Sequence, residues 1–135
     1  WKYIQEAKLL ADDFPNTLII LNHAGLPYDR SKEGLRNWKN AMNIISQCPN
    51  VIVKISGIGV PNSTWNKSNN EGIINYLIDK FGADRCMFGS NFPVDSLCAS
   101  YDQIVETLYE CISDLTNTEI ENIFYNNAIK FYNPL

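Results

Sequence analysis

The sequence has a single histidine, His23, and its four cysteines, Cys48, Cys86, Cys98 and Cys111, form no C-x-x-C pair. No zinc site can therefore be read from spacing. Cys48, Cys86 and Cys111 sit inside otherwise apolar patterns, as free buried thiols of a reducing compartment do, so a cytoplasmic setting is expected. Basic residues are also scarce: 11 Lys and Arg against 15 Asp and Glu give a net charge of -4, with no basic run. That balance argues against nucleic acid and against an anionic membrane as partners, and leaves a small molecule. The longest apolar stretch, Leu18 to Leu21, is far too short to span a bilayer, and no cationic segment precedes an apolar one as in a signal peptide. A phosphate-binding glycine loop, a nucleotide fingerprint and the G-x-S-x-G motif are all missing.

What is present is enough for one core. With 135 residues and 45% hydrophobic content, a complete fold buries roughly 70% of its unfolded surface. Trp1, Ile4, Ala7, Ala11 and Phe14 fall at helical spacing, so the chain opens in mid-helix, as if entering a structure already under way. After Pro15 and Asn16, the stretch from Thr17 to His23 is short, β-branched and apolar, which predicts a buried strand. A helix follows from about Glu33 to Gln47, with Leu35, Trp38, Met42 and Ile45 on one face. The second strand runs from Val51 to Gly57 and leads into a polar loop with N-x-S/T sequons at Asn62 and Asn66. Ser68 with Glu71 reads as a capping box for a helix carrying Ile74, Leu77, Ile78 and Phe81. Gly82 ends it, and Cys86 to Ser90 is the third strand. Ser100 with Gln103 and Thr118 with Glu121 read as further capping boxes, the last opening a terminal helix through Ile120, Phe124, Ala128 and Phe131.

The strand starts at 17, 51 and 86 lie 34 and 35 residues apart, one βα unit per step. Parallel strands joined by right-handed crossovers follow, in either a doubly wound sheet or a (β/α)8 barrel. Strands of a doubly wound sheet are covered on both faces and read almost wholly apolar. Here Lys54 and Ser56 share one face of the second strand, while His23 and Asn91 end the flanking two. Polar side chains at the C-terminal ends of three successive strands favour a barrel, whose active sites are built there. A whole barrel needs roughly 250 residues, so three strands make a partial one.

The stretches LNHAGLP (21 to 27), VIVKISGIG (51 to 59) with Trp38 ahead of it, DRCMFGSNFPVD (84 to 95) and NNAIKFY (126 to 132) together resemble the C-terminal half of the amidohydrolase-related TIM-barrel hydrolases, in the branch of sugar-lactone and pyrone-dicarboxylate lactonases. The likeness spans the whole chain in order. It implies one domain portion over residues 1 to 135, containing barrel strands six to eight and a closing helix. It also implies a hydrolase acting on a lactone or similar small cyclic ester, with water attacking a carbonyl. In the family, an H-x-H pair on strand one, later histidines and a strand-eight aspartate surround the catalytic water, often with a divalent metal such as zinc or manganese. Only His23, as catalyst or metal ligand, and the strand-eight position carry over to this chain.

That strand-eight position holds Asn91. An aspartate there can ligate a metal and take a proton from water; an amide ligates weakly and is no base. Either hydrolysis proceeds without a strong metal site, which the activated ester of a lactone tolerates, or Asp95 supplies the carboxylate.

Catalysis is accordingly assigned to His23, Asn91 and Asp95, and substrate binding to Lys54, Ser56 and Trp65. Each residue also has a structural reading. His23 could be a hydrogen-bonded strand-end residue, Lys54 a lumen ion pair or a snorkelling chain, and Ser56 a partner for backbone or water. Asn91 could cap a turn and Asp95 could stabilise a helix start. Arg85 precedes the third strand, at the bottom of the barrel where structural roles dominate; Trp38 reads as packing and Asn127 as a fastener for the last helix. Three other readings remain open. One is a metal-dependent decarboxylase, which should want the missing acid. Another is a ligand-binding protein that has lost catalysis. The third is a truncated product that self-associates through unpaired sheet edges.

Overall fold

The computed structural model describes residues 1–133. Helix α1 (Ile4–Asp13) leads to strand β1 (Ile19–Leu21), helix α2 (Lys32–Ser46), strand β2 (Val51–Ile55), helix α3 (Lys67–Phe81), strand β3 (Cys86–Phe88) and helix α4 (Tyr101–Cys111). A closing segment of α5 (Asn117–Glu121), a π turn (Asn122–Asn126) and α6 (Asn127–Tyr132) ends the described chain. The strands pair in the order β1-β2-β3, all parallel, with Ile19 opposite Val51 and Val53 opposite Cys86. The alternation and direction expected from the sequence are thus observed, and the architecture is α/β, a partial (β/α)8 barrel of three βα units and a C-terminal helix.

The two faces of β2 differ as a barrel wall requires. Val51, Val53 and Ile55 join one apolar core with Trp38, Met42 and Ile45 of α2, with Ile74 and Leu77 of α3, and with Ile104 and Leu108 of α4. Ile52 alternates to the other face and is buried outside that core. Lys54 and Ser56 follow it on that face, and Met87 stands opposite Lys54 in the register.

Element boundaries shift where side chains compete for backbone groups. Strand β1 stops at Leu21 because the next residues turn left-handed. Helix α3 starts earlier than the Ser68 and Glu71 pair suggested: Asn66 is its N-cap, accepting from Asn69 N. Ser68 Oγ instead donates to Asn66, and Glu71 pairs with Lys67 at 3.5 Å. Ser100 caps α4 as expected, but Gln103 donates to the Trp65 carbonyl at 2.9 Å and so ties the β2–α3 loop to α4. The last capping box belongs to Thr116 and Glu119, two residues before Thr118 and Glu121.

The bottom of the sheet is fastened by polar side chains acting on backbone. Arg85 donates to the carbonyls of Phe81, Ser46, Cys48 and Val51, so one guanidinium joins the ends of α2 and α3 to the start of β2. Asn127 Nδ2 reaches Ala83 O at 2.7 Å and Cys86 O at 2.8 Å, fixing the last helix beneath β3. Arg85→Ala strands four acceptors, and we expect it to lower unfolding free energy by about 3 kcal/mol in urea titration, with no change in the helix content of the folded state.

All four cysteines are free. Burial raises the Cys86 thiol to about 12 and Cys111 to about 11. Among the described residues no helix is long and apolar enough to cross a membrane.

Candidate active site at the strand ends

Beyond β1 the backbone enters an unusual turn. The φ angles of His23, Ala24, Gly25 and Leu26 are 54°, 51°, 66° and 58°, all left-handed. An L-residue in that conformation is disfavoured by about 1–2 kcal/mol, so three such residues among four need restraint. Leu26 N donates to His23 O at 2.7 Å, and the indole of fully buried Trp38 donates to Ala24 O at 2.7 Å. Trp38 therefore does more than pack: it holds the turn that carries His23. Strain of this kind, over-determined by its surroundings, is typical of functional positions.

The His23 ring lies against Gly57, the residue following Ser56. Gly57 has φ 56°, and a Cβ there would stand 2.6 Å from His23 Nδ1 and 2.8 Å from Cγ. Nδ1 is 3.0 Å from Ser56 Oγ. Ser56 is only 2% exposed, and among the described residues this is its one side-chain partner. A buried hydroxyl with one partner is best satisfied as donor, since an unpaired O–H is more costly than an idle lone pair. Donation from Ser56 to Nδ1 would leave the ring proton on Nε2. Ser56, expected to meet substrate, is in contact with half-buried His23.

Beyond β3, Asn91 also takes a left-handed φ, 54°, which asparagine tolerates. Its Nδ2 donates to Asp95 Oδ1 at 2.9 Å while Asp95 N donates to Asn91 O at 3.1 Å. Asp95 is 5% exposed, and its Oδ2 is buried with no partner among the described residues. The carboxylate packs beside Gly59, where a Cβ would come within 3.3 Å of Asp95 Cγ and 2.9 Å of Cys98 Sγ. Burial, and then the Asp95 charge, push the Cys98 thiol up.

The structure therefore forms two pairs, His23 with Ser56 and Asn91 with Asp95. They are connected through the tetrapeptide Ser56-Gly57-Ile58-Gly59, which contacts one pair at each end. Among the described residues no hydrogen bond joins the pairs directly. Lys54 lies on the same face of β2 as Ser56, with Nζ 3.4 Å from the Tyr132 hydroxyl and 5.8 Å from the centre of its ring. The lumen ion pair considered for it is absent: among the described residues no carboxylate lies within 4.0 Å. Trp65 is buried and borders both a narrow cleft beside Ser56, Phe88 and Gly89 and a larger cavity of about 330 Å³. That cavity also holds Arg30, whose guanidinium donates to Ile58 O at 2.6 Å and Asn69 O at 3.4 Å. Sequence reasoning missed Arg30 because it stands alone in a polar loop, with neither motif nor periodicity to mark it.

A divalent cation finds few ligands in this chain. Asn91 offers only an amide oxygen, and no group of three His, Cys, Asp or Glu side chains converges among the described residues. These residues alone therefore supply at most one ligand, His23, toward the metal site that the resemblance implies.

The amidohydrolase family model matches residues 3–133. The chain belongs to the amidohydrolase family. It is 40% identical to the uncharacterized protein y4mH of Sinorhizobium fredii over 129 residues, covering 96% of this chain and 43% of that protein. It is 34% identical to an L-fucono-1,5-lactonase of Burkholderia multivorans over 97 residues, 64% of this chain and 32% of the lactonase. A zinc-bound amidohydrolase crystal structure from the same species superposes with a TM-score of 0.88 at 24% identity, over 99% of this chain and 50% of that one. The chain thus spans less than half the length of the curated relatives it matches. The left-handed turn at His23, Gly57 and the Asn91–Asp95 pair all fall inside the residues that the family model matches.

Proposed function

We propose that residues 1–135 are the C-terminal part of one amidohydrolase barrel domain, its strands six to eight, and that the protein carrying them hydrolyses a lactone or similar small cyclic ester. The observation that carries this reading is the His23–Ser56 pair seated on Gly57 at the C-terminal end of parallel strands. The lactonase relatives support the substrate class.

Chemistry follows from the tautomer. Nε2–H is a fixed donor that can polarise a substrate carbonyl and hold the oxyanion as water adds to the carbon. Because Asn91 Nδ2 is engaged by Asp95, its Oδ1 is the atom left to accept from the attacking water and orient it. The free lone pair on Asp95 Oδ2 is the proton acceptor nearest that amide. Collapse of the tetrahedral adduct breaks the ring C–O bond, the alkoxide leaves with a proton, and a hydroxy acid results. Lys54 and Trp65 border this region and contact the substrate away from the reacting carbon.

Assay of the full-length protein against sugar 1,5-lactones, by acid release at constant pH, tests the reading. Stoichiometric acid release, lost in Asp95→Ala, is the expected outcome. Carbon dioxide release from a carboxylated substrate, with no lactone opening, would assign a decarboxylase instead.

A further inference from the structure

We propose that the 330 Å³ cavity between α2, α3 and the loop after β2 is a second binding site, separate from the His23 and Asn91 pairs, that takes a small organic carboxylate with an apolar body. Its lining carries two cations, Arg30 and Lys39, and no aspartate or glutamate. Among the described residues neither cation has a carboxylate within 4.0 Å. Arg30 contacts only the carbonyls of Ile58 and Asn69, and Lys39 Nζ sits 5.0 Å from the centre of the Tyr76 ring.

The unmet hydrogen-bonding capacity points the same way. Of the three buried side-chain polar atoms without a partner among the described residues, two belong to this lining, Arg30 Nε and Trp65 Nε1. Both are N–H donors. A buried donor left unpaired is costly, and a cation lacking a counter-charge more so; burial indeed lowers the Arg30 pKa. An anion in the cavity answers the missing counter-charge. Arg30 and Lys39 supply the charged end, while Leu35, Ile58, Val60, Trp65 and Ile73 supply an apolar wall, the usual composition of a small-ligand site. The wall comes entirely from two adjacent βα units, so neither sheet edge takes part in it.

Binding of benzoate to the full-length protein tests the proposal, with neutral benzamide as the isosteric control. The readout is the indole Nε1–H resonance of Trp65, assigned by its loss in Trp65→Phe. Saturable displacement of that resonance by benzoate, absent with benzamide, is expected. Lys39→Met, at the cavity rim, should weaken benzoate about fivefold, and Arg30→Gln about tenfold or more, the loss of one charge-assisted hydrogen bond. Lys39→Met keeps the test decisive should Arg30→Gln unfold through loss of its bonds to Ile58 and Asn69. Equal response to benzoate and benzamide, no response to either, or unchanged affinity in Lys39→Met would overturn it. Lactone hydrolysis measured on the same variants separates this site from the proposed catalytic one, since Lys39→Met should leave kcat intact.

Discussion

Replacing His23 with glutamine is expected to lower kcat for lactone opening by about 10²–10³-fold, the loss associated with removing one oxyanion donor, while KM changes little. Glutamine can still meet Ser56, so the strained turn should survive. We expect the unfolding free energy to fall by about 1 kcal/mol, near the value of one hydrogen bond. Circular dichroism and urea titration of the same sample distinguish the two losses. A variant as active as the parent would remove His23 from the chemistry. Ser56→Ala should act through His23: a milder fall in kcat, with an altered pH profile because the tautomer is no longer fixed, and no effect on substrates that need no carbonyl polarisation.

Gly57→Ala is expected to damage both stability and activity, from a single methyl group. The residue is left-handed, and the added carbon would stand 2.6 Å from His23 Nδ1, a separation that forces something to move. Left-handed strain together with overpacking should amount to about 2–4 kcal/mol. Whatever moves includes the imidazole, and displacement of a catalytic group by an ångström loses about 10²-fold in rate. Gly72→Ala is the matched control: its Cβ would meet nothing within 4 Å, and it lies in the interior of α3, where alanine is the better helix former by about 1 kcal/mol. It should leave activity unchanged and raise the thermal midpoint slightly. If Gly57→Ala retained full activity, the close seating of His23 on this glycine would have no bearing on catalysis.

The spacing of apolar residues was sufficient for the architecture because each βα unit here buries one stripe of its helix against one strand. Trp38, Met42 and Ile45 mark α2 and all reach the core. Chain direction followed from the same alternation, and the odd polar residues of β2, Lys54 and Ser56, gave the face of the lumen. Local hydrogen-bond competition was harder to read. Asn66, Ser68 and Glu71 all look like capping residues; only the folded backbone decides that Asn66 caps and Ser68 serves it. Likewise, the strand expected to run to His23 stops at Leu21, and four successive left-handed torsions begin at His23, held by the indole of Trp38 from a helix twelve or more residues on. His23, Ser56 and Asn91 were visible as polar ends of apolar strands. Their pairing was not, since Ser56 meets His23 and Asn91 meets Asp95 only once the strand-end turns are formed. Arg30 was illegible for a related reason: its role depends on a cavity whose walls come from two separate segments, residues 30–39 and 58–73.

The most direct measurement is the tautomer of His23, read from the imidazole ¹⁵N resonances of the full-length protein, with the His23 signals identified by their disappearance in His23→Gln. The expected spectrum places the proton on Nε2 and leaves Nδ1 as an unprotonated acceptor, an assignment that Ser56→Ala should disturb. A proton found on Nδ1, donated to Ser56, would free Nε2 as a base or metal ligand and contradict the polarising role proposed for this residue.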